Sequence, residues 1–186
     1  MNIIPAFDHN HVIPPHLGDP TIGNHLSPYQ CTTLELCKRF ATSKERIEIL
    51  KGLLMFRQKI KNEGITIGFQ WLDGSFIENI EVSEKRAPRD LDLVTFFGGF
   101  TIDQQYEWLK TFPEFIDNQL SKKLYKLDHY FVDYYYNPDV TVELSRYWIQ
   151  LFTHNRTGVW KGILRLDLNT VGIDNEAINF LDQVKL

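Results

Sequence analysis

The chain has 186 residues, 43% hydrophobic and 13% aromatic, which is enough to bury a core as one domain. The 20 basic and 24 acidic residues give a net charge of −4, which argues against a protein that coats duplex DNA through a basic surface. Two cysteines, Cys31 and Cys37, cannot build a disulfide framework or a cysteine-based zinc site.

The beginning of the chain, residues 1–41, is predicted to be a proline-rich arm that wraps around the domain. Five of the eight prolines and four of the six histidines fall within residues 1–30. The cluster 8–11 contains side chains that bind metals, but neighbours in a loop seldom converge on one ion without a third preset ligand, so a polar arm is the preferred interpretation. Neither a secretory signal nor a long apolar run is present, so we expect a cytoplasmic protein without membrane contact.

The core is predicted over residues 42–136 and begins with a helix and two strands. Thr42 and Glu45 fit a capping box, and Gly64 fits the residue that follows a helix end. The β-branched and aromatic residues 65–72 predict a strand that runs into the turn Asp73-Gly74-Ser75. The charged segment 81–89 predicts a surface loop, and residues 90–97 predict the next strand.

Helices and strands continue to alternate through the rest of the chain. Residues 101–125 predict two helical pieces, with Pro113 opening the second, and 127–136 predict an aromatic strand. Lys122 and two nearby lysines are interpreted as a solvated helix end rather than a ligand patch. Residues 137–186 predict a helix, a strand and a helix, over 141–152, 160–168 and 174–184. This order predicts a single α/β (α+β) domain with a mixed β-sheet flanked by helices.

Carboxylates on the predicted strands point to metal chemistry. Asp90 and Asp92 are two residues apart, so both leave the same face of a strand. Two like charges between apolar neighbours need a positive partner, and a hard cation such as Mg²⁺ is the simplest one. Asp133 lies within an apolar strand and needs a partner as well. If the two strands are neighbours, we expect the three carboxylates to converge on one or two ions.

The turn after the first strand has the properties of a phosphate cradle. Gly74 has no side chain where a phosphate must approach the backbone, and Ser75 offers an N–H and a hydroxyl. Lys161 is a further cation of interest, either as a partner of a triphosphate or as an ordinary loop charge.

These residues carry a resemblance to a known superfamily. The run 71–76, the Asp90-Leu91-Asp92-Leu93-Val94 strand and the later acid Asp133 resemble, in chain order, nucleotidyltransferases of the DNA polymerase β type in their minimal form. Segments 13–15 and 156–163 are similar to small uncharacterised bacterial, archaeal and phage proteins regarded as nucleotidyltransferase-like. The resemblance implies that Gly74 and Ser75 bind the β- and γ-phosphates of a nucleoside triphosphate. It also implies that Asp90, Asp92 and Asp133 ligate two Mg²⁺ ions, or Mn²⁺.

The function predicted on this basis is Mg²⁺-dependent transfer of a nucleoside monophosphate to an RNA or protein hydroxyl. The resemblance also suggests a cognate partner protein in a toxin–antitoxin or phage-defence setting. One alternative is a catalytically silent domain of the same fold that binds a nucleotide or a partner. Another is a metal-dependent nuclease or hydrolase, which also uses an Asp-x-Asp pair but gives no reason for the Gly-Ser turn.

Overall fold

A five-stranded mixed sheet forms the framework of the computed structural model, which describes residues 4–186 apart from the side chain of Val171. The strands are β1 (Tyr29–Gln30), β2 (Gly68–Asp73), β3 (Leu91–Phe97), β4 (Leu127–Asp133) and β5 (Leu164–Asp167). Their order across the sheet is β1-β5-β2-β3-β4. β2 is antiparallel to both of its neighbours, whereas β3 and β4 are parallel. The predicted α/β (α+β) class with a mixed sheet is confirmed.

Helices connect and flank the strands. They are α1 (Thr33–Phe40), α2 (Lys44–Asn62), α3 (Ile80–Ser83), α4 (Ile102–Thr111), α5 (Pro113–Ile116), α6 (Asn118–Tyr125), α7 (Pro138–Phe152) and α8 (Val171–Gln183). Within residues 4–186, none of them has the length and apolar character that crossing a bilayer requires. The predicted helical region 101–125 contains three helices rather than two, and Pro113 occupies the first turn of the second, as predicted.

The N-terminal arm is shorter than predicted, and its first three residues lie outside the described range. Residues 33–40 form α1, because Thr32 and Glu35 build a capping box that ends the irregular segment. Before α1, the arm packs along the domain: the backbone oxygen of Ile13 accepts a hydrogen bond from the Gly162 N–H at 2.7 Å. Asp8 closes a local turn, where its carboxylate accepts from the Asn10 N–H at 2.8 Å.

Two other helix starts differ from the prediction by a few residues. Ser43 caps α2, and its hydroxyl accepts from the Arg46 N–H at 3.3 Å, so the cap is one residue later than Thr42. At α7, Asn137 is the cap and Pro138 is the first helical residue. The helix therefore begins three residues before the predicted residue 141, because the fixed φ of proline suits a first helical turn. Gly64 follows the end of α2 with a φ of +77°, as predicted.

The two faces of the sheet are covered unequally. Leu91, Leu93 and Phe97 of β3 enter a large core that also contains buried residues of α1, α2, α5 and α8. Val94 and Phe96 point the opposite way and pack with Trp148 and Phe152 of α7 and with Val132 of β4. This alternation places Asp92 on the α7 side of the sheet.

A buried chain of polar side chains crosses three strands on the side of the large core. Arg57 of α2 donates to the Gln70 side chain at 2.8 Å, and Gln70 donates to the Thr95 hydroxyl at 3.0 Å. That hydroxyl lies 2.9 Å from Nε2 of His129. Burial lowers the pKa of His129 to about 3, so its ring is neutral. The chain links β2, β3 and β4 on the face of the sheet opposite to Asp92.

Candidate active site

A row of carboxylates crosses three adjacent strands at one end of the sheet. Asp73 ends β2 and pairs in register with Asp92 of β3, which in turn pairs with Asp128 of β4. Asp90 immediately precedes β3, two residues before Asp92. All four acids line one cavity of about 690 Å³. The sheet therefore concentrates negative charge at the wall of a pocket large enough for a small molecule.

Asp133 is not part of this row, so the expectation that it converges with Asp90 and Asp92 is wrong. It pairs with Phe97 at the other end of β3, about 17 Å along the strand from Asp128. There its carboxylate accepts from Gln105 Nε2 at 2.6 Å and from the Tyr135 N–H at 2.9 Å. Because β3 and β4 are parallel, a third carboxylate near Asp92 must come from the start of β4, and Asp128 occupies that position.

Gly74 and Ser75 lie beside the carboxylates, as predicted, and line the same cavity. Gly74 has a φ of +82°, and a Cβ atom at this position would lie 2.2 Å from Oδ2 of Asp92. The glycine therefore leaves the space that the Asp92 side chain fills. Ser75 begins a short 3₁₀ turn, Ser75–Ile77. The binding of phosphates by these two residues stays a prediction.

Lys161 also lies against the cavity, but its ammonium is engaged by protein groups. Its side chain is 2% exposed and contacts Asp73 at 2.8 Å, Glu78, and the Gly74 carbonyl at 3.4 Å. Burial lowers the pKa of Lys161, but the two carboxylates outweigh burial and raise it overall. Lys161 therefore holds the turn after β2 in place, and its contact with a triphosphate stays a prediction.

Asp92 differs from its neighbours because no lysine, arginine or histidine of the described chain forms an ion pair with it. Burial, followed by repulsion from the carboxylates of Asp73, Asp90 and Asp128, raises the pKa of Asp92 to about 7. Lys122 opposes this shift only in part. Asp92 thus has the electrostatic environment of a carboxylate that lacks a cation.

Lys122 lines the cavity, where the sequence interpretation did not place it, and the position of Asp128 was missed as well. Lys122 lies in the last turn of α6, and its Nζ is 2.6 Å from Oδ2 of Asp90 and 3.2 Å from Oδ2 of Asp128. A hydrogen bond to Asp90 is the main reason that its pKa is raised, so it is charged. In the sequence, Lys122 looks like any lysine in the last turn of a helix. Only the tertiary fold brings its ammonium between Asp90 and Asp128.

The rest of the cavity wall has a different character. Tyr130 of β4 and Tyr147 and Trp148 of α7 form an aromatic side. Arg89 and Arg156 lie exposed at the rim, on the loops before β3 and after α7. The cavity thus combines an acidic end, an aromatic wall and cationic edges.

Together these features define a mixed α+β domain with an acidic pocket at one end of its sheet. The chain belongs to a family of unknown function, DUF6932, whose model matches residues 5–167. The matched range includes all five strands and all of the carboxylates in the row. No curated protein and no solved structure matches the chain.

Proposed function

We propose that this protein is a nucleotidyltransferase dependent on a divalent cation, which moves a nucleoside monophosphate from a triphosphate to a hydroxyl of RNA or protein. The observation that carries the proposal is the meeting of Asp90, Asp92 and Asp128 with the Gly74-Ser75 turn in one cavity. The acids alone would suit several metal-dependent reactions. Ser75 lines the same cavity and offers a backbone N–H and a hydroxyl, which favours a substrate with phosphates.

The donor set fits Mg²⁺ or Mn²⁺. Asp90, Asp92 and Asp128 all supply oxygen ligands, which hard cations prefer. Asp92, which has no ion pair in the described chain, pairs in register with Asp73 of β2 on one side and with Asp128 of β4 on the other. Within residues 4–186, no three acidic, histidine or cysteine side chains already surround a common point. Asp90, Asp92 and Asp128 would hold the cations after small side-chain movements. When bound, such ions make the acceptor oxygen more nucleophilic and stabilise the departing pyrophosphate.

The cavity also fits the remainder of a nucleotide. Its volume of about 690 Å³ accommodates a nucleoside triphosphate. Bases stack on aromatic rings, and Tyr130, Tyr147 and Trp148 supply such rings on the wall of the same pocket. Arg89 and Arg156 would balance phosphate charge at the rim. In the transfer, the acceptor oxygen bonds to the α-phosphorus, the bond to pyrophosphate breaks, and the hydroxyl proton is released to solvent. Asp128 would orient the acceptor hydroxyl.

The proposal is tested by incubating the protein with each α-labelled nucleoside triphosphate, Mg²⁺ and a cell extract. Wild-type protein is expected to label an RNA or protein acceptor, and the double variant Asp90→Asn/Asp92→Asn is expected not to. Asp133→Asn serves as a control from the far end of β4. Label transfer by the double variant would refute the mechanism. Mg²⁺-dependent nucleotide binding without transfer would favour the catalytically silent binding domain instead.

A further inference from the structure

Lys122 connects two acids that come from different strands. Its ammonium contacts Asp90, just before β3, and Asp128, near the start of β4. Asp92 lies two residues after Asp90 and in register with Asp128, yet it forms no ion pair within the described chain. One lysine therefore pairs with two members of a group of three carboxylates and leaves the third without an ion pair.

The place of the Lys122 ammonium is one that a divalent cation would need. A Mg²⁺ ion takes carboxylate oxygens at about 2.0–2.1 Å in an octahedral arrangement. An ion that ligates Asp90 and Asp128 must lie between their oxygens, where Nζ now lies 2.6 Å from one and 3.2 Å from the other. The ammonium and the ion cannot share that volume, and their like charges repel each other.

Lys122 is able to leave, in contrast to the other lysine of the cavity. Its side chain is 44% exposed and lines the pocket, so its flexible stem can turn toward solvent. Lys161 is 2% exposed and is enclosed by Asp73, Glu78 and the Gly74 carbonyl. The two lysines of the pocket are thus a movable counter-ion and a fixed one.

We infer that Lys122 is a resident counter-ion of this site, which binds Asp90 and Asp128 when no metal is present and exchanges places with a divalent cation. This inference rests on the proposed function, because it assumes that these carboxylates bind a metal. The exchange is a competition between cations. In the metal-free state Lys122 reduces the repulsion between Asp90 and Asp128, and its presence there lowers the apparent affinity for the metal.

The test is a titration with Mn²⁺, in which free ion is measured by electron paramagnetic resonance without nucleotide. Lys122→Met is expected to bind Mn²⁺ about tenfold more tightly than wild type, which corresponds to about 1.4 kcal/mol. Lys123→Met is the matched control, because it removes the same charge from the next residue of α6, which is exposed. Lys122→Arg keeps a cation between the acids and is expected to bind Mn²⁺ as wild type does. Circular dichroism checks folding, and Lys122→Gln is a second neutral variant.

A second measurement needs no variant. In wild-type protein, Mn²⁺ should speed the acetylation of Lys122 by acetic anhydride relative to Lys123, because exchange frees the ammonium from its hydrogen bonds. Equal Mn²⁺ affinity of wild type and Lys122→Met, or a gain equally large in Lys123→Met, would overturn the inference and leave the proposed function standing. If neither wild type nor the neutral variants bind Mn²⁺, the metal chemistry of the proposed function fails as well.

Discussion

Asp92→Asn should stabilise the folded protein at neutral and alkaline pH in the absence of divalent cations. Asp92 is partly buried among three other carboxylates without a cation of its own, and its pKa is raised to about 7. An asparagine keeps the shape of the side chain and removes the charge. The variant is therefore expected to gain stability.

The size of the gain follows from the difference between the folded and unfolded pKa values. The ordinary value is 3.8 and the folded value is about 7, and each unit corresponds to about 1.4 kcal/mol. The full shift is thus about 4 kcal/mol, and we expect about 2–4 kcal/mol after local relaxation. Below pH ~4 both states hold the proton, so the substitution matters little. Between pH ~4 and ~7 the unfolded chain has lost the proton and the folded chain keeps it, so rising pH destabilises wild type relative to the variant.

The assay is urea denaturation of both proteins at pH 8 and at pH 4, with EDTA present. The advantage of Asp92→Asn should shrink from its full value at pH 8 to less than about 1 kcal/mol at pH 4. Asp103→Asn makes the same chemical change at an exposed position in the first turn of α4, and it should alter stability by less than about 0.5 kcal/mol. The same difference between Asp92→Asn and wild type at both pH values would refute the reasoning.

Three further substitutions separate the roles of the surrounding residues. Lys161→Met leaves two buried carboxylates without their cation and should lower the free energy of unfolding by about 3–5 kcal/mol in urea; a loss below about 1 kcal/mol would contradict a buried pairing. Gly74→Ala and Gly64→Ala both strain a positive φ, but only the first places a Cβ 2.2 Å from a carboxylate oxygen. In thermal melts, Gly64→Ala should cost about 1–2 kcal/mol and Gly74→Ala clearly more, and equal losses would argue against a close fit. Asp128→Asn should lower nucleotidyl transfer about a hundredfold or more, whereas Asp133→Asn should match wild type. The opposite result would show that Asp133, and not Asp128, is the third acid of the site.

Local patterns predicted β2 to β5, because β-branched and aromatic runs bounded by turns carry their own signal. They missed β1, which has two residues and lies within the proline-rich arm. They could not predict the direction of β4 relative to β3, and that direction decides which acid lies beside Asp92. An antiparallel β4 would have brought Asp133 to the Asp-x-Asp pair. The parallel register brings Asp128 there instead, at a position where Leu127 and His129 flank an acid in the same way as the leucines around Asp92 do.

The charged side chains were harder to assign, for a related reason. Lys161 is far in sequence from Asp73 and Glu78, and Lys122 is far from Asp90 although only six residues from Asp128. A lysine stem can also direct its charge several ångströms in any direction. Helix caps such as Ser43 were displaced by one residue, because neighbouring hydroxyl residues offer the same hydrogen bond and only the backbone angles select between them.

The hydrogen-bonded chain from Arg57 through Gln70 and Thr95 to His129 has a consequence for how related sequences diverge. Each of its side chains forms a hydrogen bond with a buried polar group. Replacing one of them would therefore leave its partner buried without a hydrogen bond and without access to water. We expect these four positions to change together or not at all across the family, as a correlated set located behind the pocket rather than in it. The spacing of Asp73, Asp92 and Asp128 would then be maintained across the family by residues that do not contact a ligand.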